Sequence, residues 1–163
     1  MSLRSLQALI QGEIQALEQT VALCSSRLAR RQELAASGSE DILADSLAAC
    51  LHSFYSGLEG LLETVASELD ELPRGAHWHR QLLVLMTVAV EGARPAVFTQ
   101  DSYAILDELR AFRHLFRNLY LHTLRPERVF ELTAALAFAW PGVRADLEEF
   151  LRFLGTTHGP GPA

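Results

Sequence analysis

Phe112 to His122 reads FRHLFRNLYLH, and it concentrates side chains that can do chemistry. Two arginines, two histidines, a tyrosine and the only asparagine of the chain fall within these eleven residues. Guanidinium forks grip phosphate oxygens, and imidazole exchanges protons near neutral pH. Arg113, Arg117 and Tyr120 follow at i, i+4 and i+7, so they share a helical face. That face borders a stripe of Leu109, Phe112, Phe116 and Leu119 expected to be buried. Asn118 and His122, also four apart, flank the stripe on its other side, and His114 is expected to point away from Arg113. Arg110, Arg125 and Arg128 add charge, and Glu127 is the only acid between Arg110 and Arg128. The segment is either a solvated helix flank with snorkelling arginines or a cationic site.

The spacing sets a condition on any such site. Arg113 and Asn118 are five apart, as are Arg117 and His122, which leaves each pair about 140° out of line on a straight helix. They meet on one small target only if the helix end distorts or a second copy brings its own set across a two-fold interface.

The elements that must position these residues read as helices throughout. Leu3, Leu6, Ile10, Ile14, Leu17, Val21, Cys24 and Leu28 step by three and four, predicting a first helix over 2–35. Ala36–Ser39 ends it, with Ser39 placed to cap a second helix over 40–69. Leu47, Leu51, Phe54, Leu58, Leu61, Val65 and Leu69 form its apolar face, so the two long helices make an antiparallel hairpin. Gly57 and Gly60 interrupt that second helix, as close approach by another helix would require. Shorter helices are expected over 77–90, from Thr99 or Asp101 to about 122, from Pro126 to about 139, and over 143–154, with Pro141-Gly142 as a break. The predicted fold is an all-α, up-and-down bundle of five to six helices. It forms a single domain over 1–154, followed by a disordered tail over 155–163.

Composition narrows the function classes. At 163 residues and 49% hydrophobic, the chain can bury a core. A net charge of −6 gives no overall attraction for nucleic acid, so any such binding needs a local patch. All fourteen basic residues are arginine. Cys24 and Cys50 fall on apolar stripes and read as reduced core residues. The N-terminus is amphipathic and has early glutamates, so no signal peptide is expected in it, and the apolar run 82–90 is too short to span a membrane. A cytoplasmic protein is expected. His77-Trp78-His79 reads as a cap and a core tryptophan rather than a metal pair, and His52 as a packing histidine. Tyr55 and Glu59 read as a surface hydrogen-bonding pair. His158 lies in the tail and carries little information. No metal site, phosphate loop or nucleophile elbow is present as a motif, and no cofactor is expected.

At these residues the chain resembles the HEPN superfamily, and within it the HepT-like ribonuclease toxins. The family motif is Arg, four to six residues, His, often with a tyrosine one residue after the next. Two registers fit. Arg113 with Asn118 in the histidine place and Tyr120 is one; Arg117 with His122 and Leu124 is the other. The stretches FYSGLE at 54–59, Trp78-His79 before Leu82-Leu83 and Met86, RPAV at 94–97 and FRHLFRNLY are similar to one HepT-like subgroup, over most of 45–154.

The resemblance implies a homodimer that cuts RNA without a metal, and a minimal nucleotidyltransferase antitoxin that neutralises it and can add AMP to the motif tyrosine, here Tyr120. In that chemistry the ribose 2′-hydroxyl attacks the phosphate. A histidine takes and returns the proton, and arginines hold the phosphorane. The catalytic set would be Arg113, Arg117, Asn118, His122 and His114, with Arg110 and Arg125 binding phosphate. Asparagine cannot act as a base, so His122, or else His114, must serve. If neither does, the domain is an inactive relative that binds RNA, nucleotide or protein.

Overall fold

The computed structural model describes residues 1–118 and 124–156. Its helices are α1 (Leu3–Leu28), α2 (Arg31–Ala36), α3 (Glu40–Leu69), α4 (Trp78–Leu85), α5 (Gln100–Asn118) and α6 (Pro126–Thr156). There is no strand among the described residues, only an isolated bridge between Val90 and Arg94. The fold is an all-α, up-and-down bundle. Four long helices, α1, α3, α5 and α6, pack around one core, each antiparallel to the one that follows it in the chain. The N-terminal amine reaches Glu68 near the end of α3, and Arg27 near the end of α1 donates to Cys50 Sγ. Trp140 of α6 donates to Glu18 of α1, and Thr99 before α5 bonds Asp146 of α6.

The core follows the apolar periodicity. Leu6, Ile10, Ile14, Leu17, Val21 and Cys24 are the buried residues of α1, six of the eight that the three-and-four spacing picks out, while Leu3 and Leu28 at its ends are partly buried. α3 runs over the span expected for it but is buried on several faces, because α1, α4, α5 and α6 all pack against it. Gly57 lies beneath α1, where a Cβ would come within 2.6 Å of Glu13 Oε1. That carboxylate is the free end of a flexible side chain, and Gly60 faces open space, so close approach of another helix requires neither glycine. Cys24 and Cys50 are free thiols, both buried. Burial, reinforced by Cys50, pushes the Cys24 thiol up to about 12.

Several boundaries differ from the expectations, each for a local reason. The first helix stops at Leu28, and the chain turns at Ala29-Arg30 before α2. The turn brings Arg31 over the Phe130 ring at 4.1 Å and into ion pairs with Glu40 and Glu127. Ser39 makes no side-chain cap to α3. α4 ends at Leu85 rather than near Val90. The returning loop takes the carbonyls that would continue it: Arg94 donates to the Leu85 and Val88 oxygens, and the Val97 and Phe98 amides to that of Met86.

The two helices expected around Pro141 are one, α6, with the proline inside it. Buried Trp140, edge-on to Phe54 at 5.7 Å, and buried Val143 and Leu147 hold the helix together through the lost hydrogen bond. α6 continues to Thr156, and residues 157–163 lie outside the described residues. No helix among the described residues is long and apolar enough to cross a membrane.

Candidate functional site

α5 carries Arg110, Arg113, His114, Arg117 and Asn118 on one stripe, because steps of three and four return to the same side of a helix. The segment before and at the start of α4, Gly75 to Arg80, lies opposite. Between them is a cavity of about 660 Å³ lined by these residues. Four arginines (Arg80, Arg110, Arg113 and Arg117) and three histidines (His77, His79 and His114) border it. Gly75, at φ +100°, lets the chain turn from α3 into the cavity wall. Below that turn, buried Arg94 clamps the end of α3 through Asp70 Oδ2 at 2.7 Å and ties it to the loop carbonyls.

Partners for two of the lining residues come from α3. Glu59 is 2% exposed, so its carboxylate must find partners within the fold. Its Oε1 meets Arg113 Nη1 at 3.0 Å and its Oε2 meets His79 Nδ1 at 2.7 Å. Arg113 Nε also donates to Ser56 Oγ at 3.0 Å. The His79 ring stacks on Trp78 with centroids 3.7 Å apart. Tyr55, one turn before Glu59, is buried, and burial followed by the Glu59 charge drives its phenol well above the ordinary tyrosine range. The expected surface pair of Tyr55 and Glu59 is therefore two buried residues, with Glu59 turned to α4 and α5.

The structure brings together some of the residues expected at a site and not others. Arg117 lines the cavity, is exposed, and has no ion-pair partner among the described residues. His114 also lines it, contrary to the expectation that it points away, since it lies four residues from both Arg110 and Asn118 on the stripe. Arg113 and Arg110 line it but are partnered, Arg113 by Glu59 and Arg110 by Asp107 at 2.7 Å. Asn118 is at the rim and its amide donates to the His114 carbonyl at 2.8 Å. Arg125 is exposed just before α6 and does not line the cavity. Tyr120 and His122 lie outside the described residues, so the choice between the two motif registers falls there too.

His52 packs as expected, its ring 5.2 Å from that of Phe116. Burial lowers its pKa, and the charges of Arg113 and Arg117 lower it further. Its titration thus senses the two arginines of the motif. The residues that spacing missed are Glu59, Ser56, His79 and Arg80. One signal was present: a glutamate in the middle of a helix as apolar as α3 has to be paired.

No curated protein and no solved structure gives a match to this chain. A family model described as HepT-like protein matches residues 46–154, well over half the chain and the whole of the cavity, and on that match the chain belongs to the HepT-like family.

Proposed function

We propose that the protein is a HepT-like toxin, a metal-independent endoribonuclease acting in the cytoplasm as a homodimer and neutralised by a nucleotidyltransferase antitoxin. The observation that carries this reading is the convergence of four arginines and three histidines on one cavity of an acidic protein. Guanidinium groups there suit a ribose-phosphate backbone and the extra negative charge of a phosphorane. Imidazoles beside them suit the two proton transfers, from the 2′-hydroxyl and to the leaving 5′-oxygen.

Arg117, without a carboxylate partner, is the principal phosphate ligand, and Arg113 presents the part of its fork that Glu59 and Ser56 leave over. His114 or His122 supplies one of the two proton transfers. Arg110 widens the cationic surface, and Arg125 extends it along the strand. Tyr120 is three residues beyond Arg117 in sequence. AMP added there would bring a phosphate to the same arginines and block the substrate.

Expression in a bacterial host tests this. The wild type should arrest growth and degrade RNA, and Arg117→Ala should relieve both. Co-expression with the partner nucleotidyltransferase should add the mass of AMP to the Tyr120 peptide. Unchanged growth and intact RNA with the wild type would contradict the toxin reading.

A second reading has its own support. Asn118 spends its amide on the helix, and Arg113 is neutralised by Glu59. Both fit a non-catalytic module that binds RNA, nucleotide or protein. Retention of RNA on the purified protein without cleavage would favour it.

A further inference from the structure

We propose that His79 is the general base of the cavity, with Glu59 as its positioning residue. The inference rests on the ribonuclease reading and deepens it. His79 Nδ1 is 2.7 Å from Oε2 of a carboxylate that is itself almost fully buried. A carboxylate accepts only, so Nδ1 is the protonated nitrogen, and in the neutral ring Nε2 carries the lone pair. The imidazole side chain is 30% exposed and lines the cavity, which leaves Nε2 for a ligand. Trp78 stacked on one face and Glu59 behind Nδ1 fix the ring in place.

No other histidine among the described residues has a carboxylate partner. His77 and His114 border the same cavity without one, and Asn118 cannot take a proton. Glu59 joins base and phosphate ligand in one unit, since its other oxygen holds Arg113. A phosphate at Arg113 and Arg117 therefore lies beside His79. The charged and titratable groups around the imidazole are Glu59 from α3, Arg110, Arg113, His114 and Arg117 from α5, and His77 and Arg80 from its own segment.

The step balances. Nε2 takes the proton of the ribose 2′-hydroxyl, and the 2′-oxygen lone pair forms the bond to phosphorus. The bond from phosphorus to the 5′-oxygen breaks, its electron pair leaves with that oxygen, and a second imidazole or water protonates it. Nothing is oxidised or reduced, and the product is a 2′,3′-cyclic phosphate.

The test compares wild type, His79→Ala and Glu59→Gln on a short single-stranded RNA in EDTA, with affinity measured on the 2′-O-methyl form of the same RNA. His79→Ala should cleave at least about 100-fold more slowly, bind the methylated RNA as the wild type does, and regain rate when imidazole is added. Glu59→Gln should lower kcat with KM unchanged. His79→Ala cleaving at the wild-type rate, or staying slow in imidazole while binding normally, would overturn the role of His79. An unchanged kcat in Glu59→Gln would overturn the positioning role. Should His79→Ala not fold, His79→Gln keeps a donor for Glu59 but no base, and full activity in it overturns the proposal. A wild type that leaves the RNA whole overturns the ribonuclease reading and the base together, which sets that failure apart from the others.

Discussion

Arg113 and Arg117 are one helical turn apart and do different work. Arg113 is 16% exposed and answers the charge of buried Glu59, so Arg113→Ala leaves that carboxylate with only His79. The loss should be on the order of 3 kcal/mol of stability, visible as a lower Tm. Arg117 is exposed and unpaired among the described residues, so Arg117→Ala should change stability by no more than about 0.5 kcal/mol while weakening RNA binding. Arg117 is thus the cleaner probe of function.

His52 reports on both arginines. Its lowered pKa means the unfolded chain binds the proton more readily than the folded one, so His52 removes stability as pH falls below about 6.5. A phosphate bound at Arg113 and Arg117 cancels part of their field and should raise the His52 midpoint, followed by NMR of the imidazole carbon protons. A midpoint indifferent to saturating RNA would contradict binding beside these arginines. The two arginines could be read in the sequence because they share a helix. Glu59 and His79 could not, because each finds the other and Arg113 across α3, α4 and α5, and spacing within one helix does not report partners on another.

At the scale of elements, the three-and-four periodicity of α1 and α3 was enough to define the hairpin, while the ends of helices depended on distant groups. α4 is the clearest case, since its early stop is imposed by Arg94 and the 97–98 amides returning from the following loop. Arg94 is fully buried, and Arg94→Ala strands Asp70 and the Val88 and Pro95 carbonyls. It should cost about 3–5 kcal/mol and loosen the 70–80 wall of the cavity, measurable as faster amide exchange there. Gly60 points the other way. A Cβ there meets nothing, so Gly60→Ala should stabilise α3 by about 1 kcal/mol and raise Tm by roughly 2–4 °C. Pro141 shows why a helix breaker alone misleads: burial of Trp140, Val143 and Leu147 on both sides outweighs the lost backbone bond.

Across the whole molecule, an acidic chain presents a cationic cavity on one side. Attraction for RNA is therefore local, and it should fall steeply with salt through release of counterions. Family membership and architecture were both legible in the sequence, the first from short stretches in order, the second from periodicity. The cavity was legible only on its α5 side. The most direct test of the central claim is cleavage of a labelled single-stranded RNA by the purified protein in EDTA, beside the same strand made of DNA. The account predicts RNA fragments ending in 2′,3′-cyclic phosphate, intact DNA, and a loss of about 100-fold or more in Arg117→Ala. RNA left whole by the wild type, or cleavage that Arg117→Ala does not slow, would contradict it.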